Sequence, residues 1–151
     1  MSLEKDIQQS HFRNDYQKGV INLTYTFLWM NEQVKKIFDR EDITTQQFNI
    51  LRILKGASKP LSTLQIRQRM LDKMSDTSRI VDRLLLKGLV TKNTSAADKR
   101  LVDISISQKG IDLLEKLSAF DKEMDQVLGN LKSEEILQLN KLLDKARGSD
   151  E

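Results

Sequence analysis

Apolar residues recur along the first part of the chain at Tyr16, Val20, Leu23, Phe27, Met30, Val34 and Ile37. The steps alternate between four and three. That heptad spacing, held for three repeats, predicts one long helix packed along another helix. Residues 1–10 carry little apolar content and are expected to fray. Thr44 and Gln47 match a capping box, so a second helix opens there, with Phe48, Ile50, Leu51 and Leu54 on its apolar face. Gly56 suits the left-handed position that stops a helix, and residues 57–60, Ala-Ser-Lys-Pro, read as a connector. Ser62 and Gln65 repeat the capping box ahead of a helix carrying Leu64, Ile66 and Met70. A polar break at Asp72-Lys73 leads to Ser75, a good N-cap, and to a helix with Ile80, Val81, Leu84 and Leu85 turned inward. Gly88 ends that helix, with Leu89 placed to contact Leu84 in a Schellman arrangement.

After Gly88 the period changes from 3.6 to 2. Val102, Ile104 and Ile106 alternate with Asp103 and Ser105, which predicts a half-buried strand. Residues 89–94 are its antiparallel partner, and residues 95–100 form the loop between the two. Ser107 then caps a long helix with a second heptad seam at Leu113, Leu117, Phe120, Met124, Val127 and Leu131. Ser133, Glu134 and Glu135 start a last helix bearing Ile136, Leu139 and Leu143, with acids at the dipole's positive end. The fold class expected is mainly α with a small β-hairpin (α+β). A helix stopped by glycine and followed by a basic hairpin is the outline of a winged helix-turn-helix core. Helices from both ends of the chain flank it.

Net charge is only +3, but it is unevenly placed. Residues 52–109 hold 13 Lys or Arg against 5 Asp or Glu, whereas the rest holds 12 against 17. A basic middle between acidic ends suggests a local polyanion-binding surface. Cysteine is absent, which excludes disulfides, thiolate metal sites and thiol-based sensing. No apolar run approaches the ~18 residues of a membrane span, and no secretory h-region opens the sequence, so the cytoplasm is the expected location.

The third helix of the core presents Asp76, Thr77, Ser78, Arg79, Asp82 and Arg83. Short hydroxyl side chains let its first turn approach base edges, and arginine can bond guanine bidentately. Ser75, Thr77, Ser78 and Arg79 are therefore expected in a major groove, and Arg83, one turn on, at a phosphate or in the groove. At the hairpin tip, Lys99 and Arg100 are candidates for the minor groove, where negative potential concentrates. Asp98, two residues before Arg100, is placed to fix its guanidinium. The plainer alternative is a solvated helix face, with Asp76 near Arg79 and Asp82 near Arg83.

The segment RIVDRLLLKGLVTKNTSAADKRLVDISISQKG resembles the MarR family of bacterial transcription regulators. The resemblance rests on Lys87-Gly88-Leu89-Val90, on Asp98-Lys99-Arg100, and on Ser107-Gln108-Lys109-Gly110. Residues 44–54, TTQQFNILRIL, resemble the family's second helix. The family implies a homodimer of interlocked end helices on double-stranded DNA with a pseudo-palindromic operator. On that pattern residues 1–43 are an N-terminal dimerisation helix, 44–107 a winged-helix DNA-binding lobe, and 108–151 C-terminal dimerisation helices, all in one intertwined domain. The family also implies a repressor that occludes a promoter and lets go when a small aromatic or phenolic effector binds. Tyr25 and Trp29 are candidates to line the effector pocket.

No metal site or cofactor is expected, since His11 is the only histidine and zinc regulators favour several nitrogen ligands. Enzyme readings find no Gly-rich phosphate loop, no cysteine nucleophile and no His-x-x-x-His pair. The alternative function is a winged-helix module for protein–protein contact, using the heptad helices as its partner surface.

Overall fold

A computed structural model describes residues 2–94 and 102–148. Its elements run α1 Leu3–Asp6, α2 Asp15–Phe38, a 3-10 turn Asp39–Glu41, α3 Thr45–Lys55, β1 Leu61–Ser62 and α4 Thr63–Arg69. They continue with α5 Thr77–Leu86, β2 Val90–Thr94, β3 Val102–Ile106, α6 Gln108–Ser118, α7 Asp121–Asp125, a 3-10 turn Gln126–Leu128 and α8 Ser133–Ala146. The architecture is the mainly helical one expected, with a small antiparallel sheet.

The core sits between α3, α4, α5 and the sheet. Ile50 and Leu51 of α3, Leu61, Ile66, Leu84 and Ile104 are all but completely buried. Each such side chain stabilises the fold by about 1.5–3 kcal/mol relative to exposure. Both expected capping boxes form: Thr44 with Gln47, and Ser62 with Gln65. The sheet has the order β1-β3-β2. Ile104 of β3 pairs with Leu61 on one side and Lys92 on the other. β1 was not anticipated, because two residues after Pro60 cannot show an alternation.

The seam of α2 divides. Val34 packs against the core and Ile37 and Phe38 are buried, whereas Tyr16, Val20, Leu23 and Phe27 stand at least half exposed. On α8 no residue is buried, and Leu137 and Leu142 face solvent.

Three expectations need correction. The N-terminus does not simply fray: Leu3 is buried on α1, and Glu4 pairs with Lys18 on α2. That pairing, chiefly the hydrogen bond from Lys18, lowers the Glu4 carboxyl to about 2 and raises Lys18. Gly56 is right-handed (φ −78°), because the helix runs on through its N–H to Arg52 before the chain turns. The second seam is not one helix. Ala119 and Phe120 bond back three residues, to Lys116 and Leu117, and the Ser118 hydroxyl takes the Glu115 carbonyl at 2.6 Å. Tightened turns and back-bonding hydroxyls bend a helix. Arg40 then grips Glu123 of α7 bidentately at 2.7 and 2.6 Å, with its guanidinium 5.5 Å from the Phe120 ring centre. That grip raises Arg40 and lowers Glu123.

The junction of α5, β2 and α6 is the tightest place in the lobe. Gly88 adopts φ +70°, and the Schellman pair forms as expected, Gly88 N–H to Leu85 and Leu89 N–H to Leu84. A Cβ on Gly110 would lie well inside contact with the Leu89 carbonyl oxygen and 2.8 Å from Ile106 Cγ1. Gly110→Ala should therefore lower stability by about 1–3 kcal/mol or more, read as a lower urea midpoint. An unchanged midpoint would mean that β2 and α6 separate easily.

Candidate nucleic-acid interface

The helix α5 is fixed at both ends. At its start the Asp76 carboxylate accepts the Arg79 N–H at 3.1 Å, making Asp76 the N-cap. Ser75 was expected in that place. Its hydroxyl instead donates to the Asp72 carbonyl at 2.8 Å, and the Asp72 carboxylate accepts the Met74 N–H at 3.0 Å. A hydroxyl held by the preceding turn is not free to cap, and aspartate adds favourable charge at a helix N-terminus. Two further ties hold the turn: Asn49 of α3 accepts the Leu71 N–H at 3.0 Å, and Arg67 of α4 donates to the Lys73 carbonyl at 3.2 Å.

At its end, Lys87 donates its ammonium to the Asp42 carbonyl and lies 3.0 Å from the Asp42 carboxylate. Lys109 of α6 donates to the Lys87 carbonyl at 2.8 Å, and Ser107 donates to the Gly88 carbonyl at 2.7 Å. Asp42 is itself left-handed (φ 48°), which turns the chain from α2 into α3. These lysine contacts escaped the sequence, because residues 42, 87 and 109 share no spacing signal.

Between those ends α5 buries Val81 and Leu84 and half-buries Ile80 and Leu85. Helical spacing then leaves one strip facing solvent: Ser78, Arg79, Asp82, Arg83 and Leu86. Neither Arg79 nor Arg83 has an ion pair among the described residues. Thr77 departs from expectation. It is 3% exposed, with its N–H donating to the Ser75 carbonyl at 2.9 Å and its hydroxyl 3.5 Å from the same oxygen, so it holds the turn and offers a groove no free donor. Beside α5, Arg67, Arg69 and Lys73 are exposed, as are Lys92, Asn93 and Thr94 on β2. β2 and β3 pair in register from Val90–Ile106 to Thr94–Val102. Asp98, Lys99 and Arg100 lie outside the described residues.

Two clefts open on the surface. One, of about 460 Å³, lies between α2, α3 and the turn before α5; Phe27, Asn31, Lys35, Phe38, Met70 and Leu71 are among its walls. The other, of about 390 Å³, is lined by Glu41, Asp42, Lys87, Lys109, Asp112 and Lys116, over Leu89 and Leu113. Glu41 and Lys116 pair across it at 2.7 Å. Tyr25 and Trp29 line neither cleft, and each is 37% exposed on α2. The aromatic residues on the larger cleft are Phe38, which is buried, and Phe27, which is two positions from both Tyr25 and Trp29 and on another face of the helix. Among the described residues no group of His, Asp or Glu is placed to hold a metal ion, and no helix is long and apolar enough to cross a membrane.

The sequence profile of the MarR family matches residues 41–101. The HTH-type transcriptional repressor MdtR of Bacillus subtilis is 28% identical over 119 residues, covering 78% of this chain and 76% of that protein. Among solved structures, a mutant MarR from E. coli complexed with operator DNA superposes with a TM-score of 0.81 at 21% identity, over 91% of this chain and 99% of that one. Bordetella bronchiseptica BpsR, whose DNA binding is regulated by 6-hydroxynicotinic acid, superposes with a TM-score of 0.79 at 20% identity, over 93% of this chain and 100% of that one.

If Asp76 is the cap, Asp76→Ala should destabilise the protein by about 0.5–2 kcal/mol and speed amide exchange in the first turn of α5. Ser75→Ala should change exchange there far less. Equal effects of the two would return the cap to Ser75.

Proposed function

We propose that this chain, whose residues 41–101 match the MarR family profile, is a dimeric, sequence-specific DNA-binding transcription regulator of that kind, a repressor whose grip on DNA a small molecule relaxes. The family is one of transcription regulators rather than enzymes. The observation that carries the reading is the solvent-facing strip of α5: two arginines without ion pairs among the described residues, on a helix pinned at both ends and followed by the β2–β3 hairpin. Rigid anchoring matters because a groove contact out of place by an ångström loses most of its bonding.

On this reading Ser78 and Arg79 enter the major groove, and Arg83 takes a phosphate. Ser75 and Thr77 act by shaping the first turn, since both of their N–H groups and the Ser75 hydroxyl are bonded within it. Lys99 and Arg100 reach the minor groove, with Asp98 holding Arg100. The exposed seam of α2, within residues 1–43, and α8, within 108–151, meet the same surfaces of a second copy. The lobe 44–107 reads one half-site, and the two half-sites lie roughly 34 Å apart. The cytoplasm is the compartment that such an activity requires.

The effector fits the larger cleft. Its walls are mostly apolar, with Phe27 and Phe38 on one side and Lys35 at the rim, 3.4 Å from Asp39. An aromatic acid or phenol suits that mixture, its ring against phenylalanine and its anion near Lys35. The cleft joins α2 to the turn that carries α5, so an occupant that prefers one spacing of the two lobes shifts DNA affinity by that preference.

Fluorescence anisotropy on DNA from beside its own gene, titrated at several salt concentrations against a scrambled duplex, tests the assignment. The native duplex should win, with a log–log salt slope of several units. Arg79→Ala should cost about 1–3 kcal/mol at one base position, and Arg83→Ala should weaken all sequences alike. Binding indifferent to both substitutions and to salt would support a protein-interaction module instead. In the same assay 6-hydroxynicotinic acid and benzoic acid serve as probe acids. A probe that releases DNA from the native protein should release much less from Lys35→Met; equal release would place the effector elsewhere.

A further inference from the structure

The strip that α5 turns to solvent contains one acid. Asp82 lies between Arg79, one turn before it, and Arg83, its neighbour, and is exposed like both. It makes no hydrogen bond or ion pair among the described residues, and it caps nothing, being in the middle of the helix. The other exposed aspartate of this region, Asp76, is explained by its capping bond. Among the described residues Asp82 has no such structural explanation.

A carboxylate there opposes DNA binding as such. It would enter a groove flanked by phosphates, where like charge is repelled. It can repay that only where DNA presents a donor. In the major groove the donors are the amino groups of cytosine and adenine, and a carboxylate pairs best with the cytosine N4 amine. Guanine O6 and N7 and thymine O4 are acceptors and would face it with lone pairs. Arg79 has the opposite taste: its guanidinium donates to guanine O6 and N7. One turn of helix, about 5.4 Å, separates neighbours on the strip, which is within reach of adjacent base pairs.

We infer that Asp82 is a specificity-determining residue that selects cytosine at one position of each half-site and lowers affinity for other DNA. The inference rests on α5 being the groove-reading helix. Asp82 then acts mainly by rejection, which is how a protein with a basic lobe avoids random DNA. Arg79 and Arg83 supply attraction, and Asp82 withholds it from sites carrying guanine or thymine at its position.

The test selects preferred sites from a pool of random duplexes with the native protein, Asp82→Ala and Asp82→Asn, then measures each protein by anisotropy on the winning site, its single-base variants and a scrambled duplex. The native protein should prefer cytosine at one half-site position on the order of 10-fold over guanine or thymine. Asp82→Ala should lose that preference, keep the others, and bind scrambled DNA more tightly. Asp82→Asn, nearly isosteric, should move the preference towards adenine, which an amide reads at N6 and N7. If Asp82→Ala weakens every sequence equally, the residue merely positions an arginine, in α5 or in the hairpin, and the inference falls. It falls also if all base preferences survive both substitutions. If the native protein itself selects no sequence, the DNA-reading assignment of α5 fails, and Asp82 with it.

Discussion

The close approach of two backbones at Leu89 and Gly110 is the constraint on which the lobe depends. The Leu89 carbonyl accepts the Ser107 N–H at 3.1 Å, and no side chain stands between it and Gly110. Ser107 uses its one hydroxyl twice, accepting the Gly110 N–H at 3.1 Å and donating to Gly88 at 2.7 Å. That single residue caps α6 and ties it to the end of α5. The sheet, the exposed strip of α5 and the helix leading to the C-terminal segment are thereby set relative to each other by hydrogen bonds of fixed length. Packing alone would leave more freedom, since apolar contact has no direction.

This junction also explains why the local motifs were legible. Gly88, Leu89, Ser107 and Gly110 each answer a backbone demand: a left-handed turn, a 6→1 bond, a cap and a missing Cβ. Such demands allow few residue types and so leave a mark in the sequence. The helices and the hairpin follow from the periods of apolar residues for the same reason. The misses share the opposite property. Ser75 and Asp76 are both good caps, and the choice was made by the Asp72 carbonyl, which holds the Ser75 hydroxyl. Thr77 looks polar and free, yet it turns into the lobe. The break after Ser118 goes with the Ser118 hydroxyl bonding back to Glu115 and with Arg40 reaching Glu123 across the fold, neither of which has a spacing signal. The larger cleft is assembled from three elements, so no local spacing marks Phe27 and Phe38 as its aromatic wall.

The apolar surface is likewise divided for a physical reason. A helix that packs inside its own chain at one end and stands exposed at the other cannot be explained by one core. Val34, Ile37 and Phe38 belong to the lobe, whereas Tyr16, Val20, Leu23 and Phe27 extend beyond it. Rows of exposed apolar side chains this long are unusual on a monomer. On the proposed reading a second copy covers them, and α2 becomes a rod running from the dimer contact into the DNA-binding lobe.

That rod ends at Asp42, the residue gripped by Lys87 at the end of α5. The larger cleft lies along the same rod, at Phe27, Asn31 and Lys35, and touches the turn at the start of α5 through Met70, Leu71 and Asp72. α5 is thus tied at one end to the turn that follows α2 and bordered at the other by the cleft. On the proposed reading a ligand need not unfold anything to act. It needs only to favour one angle between α2 and the turn, because the grip at Lys87 makes α5 follow as a body. The size of the effect is limited by differential affinity: a tenfold loss of DNA binding requires about 1.4 kcal/mol of preference for the wrong spacing. A few apolar contacts in a cleft of about 460 Å³ are enough to supply that.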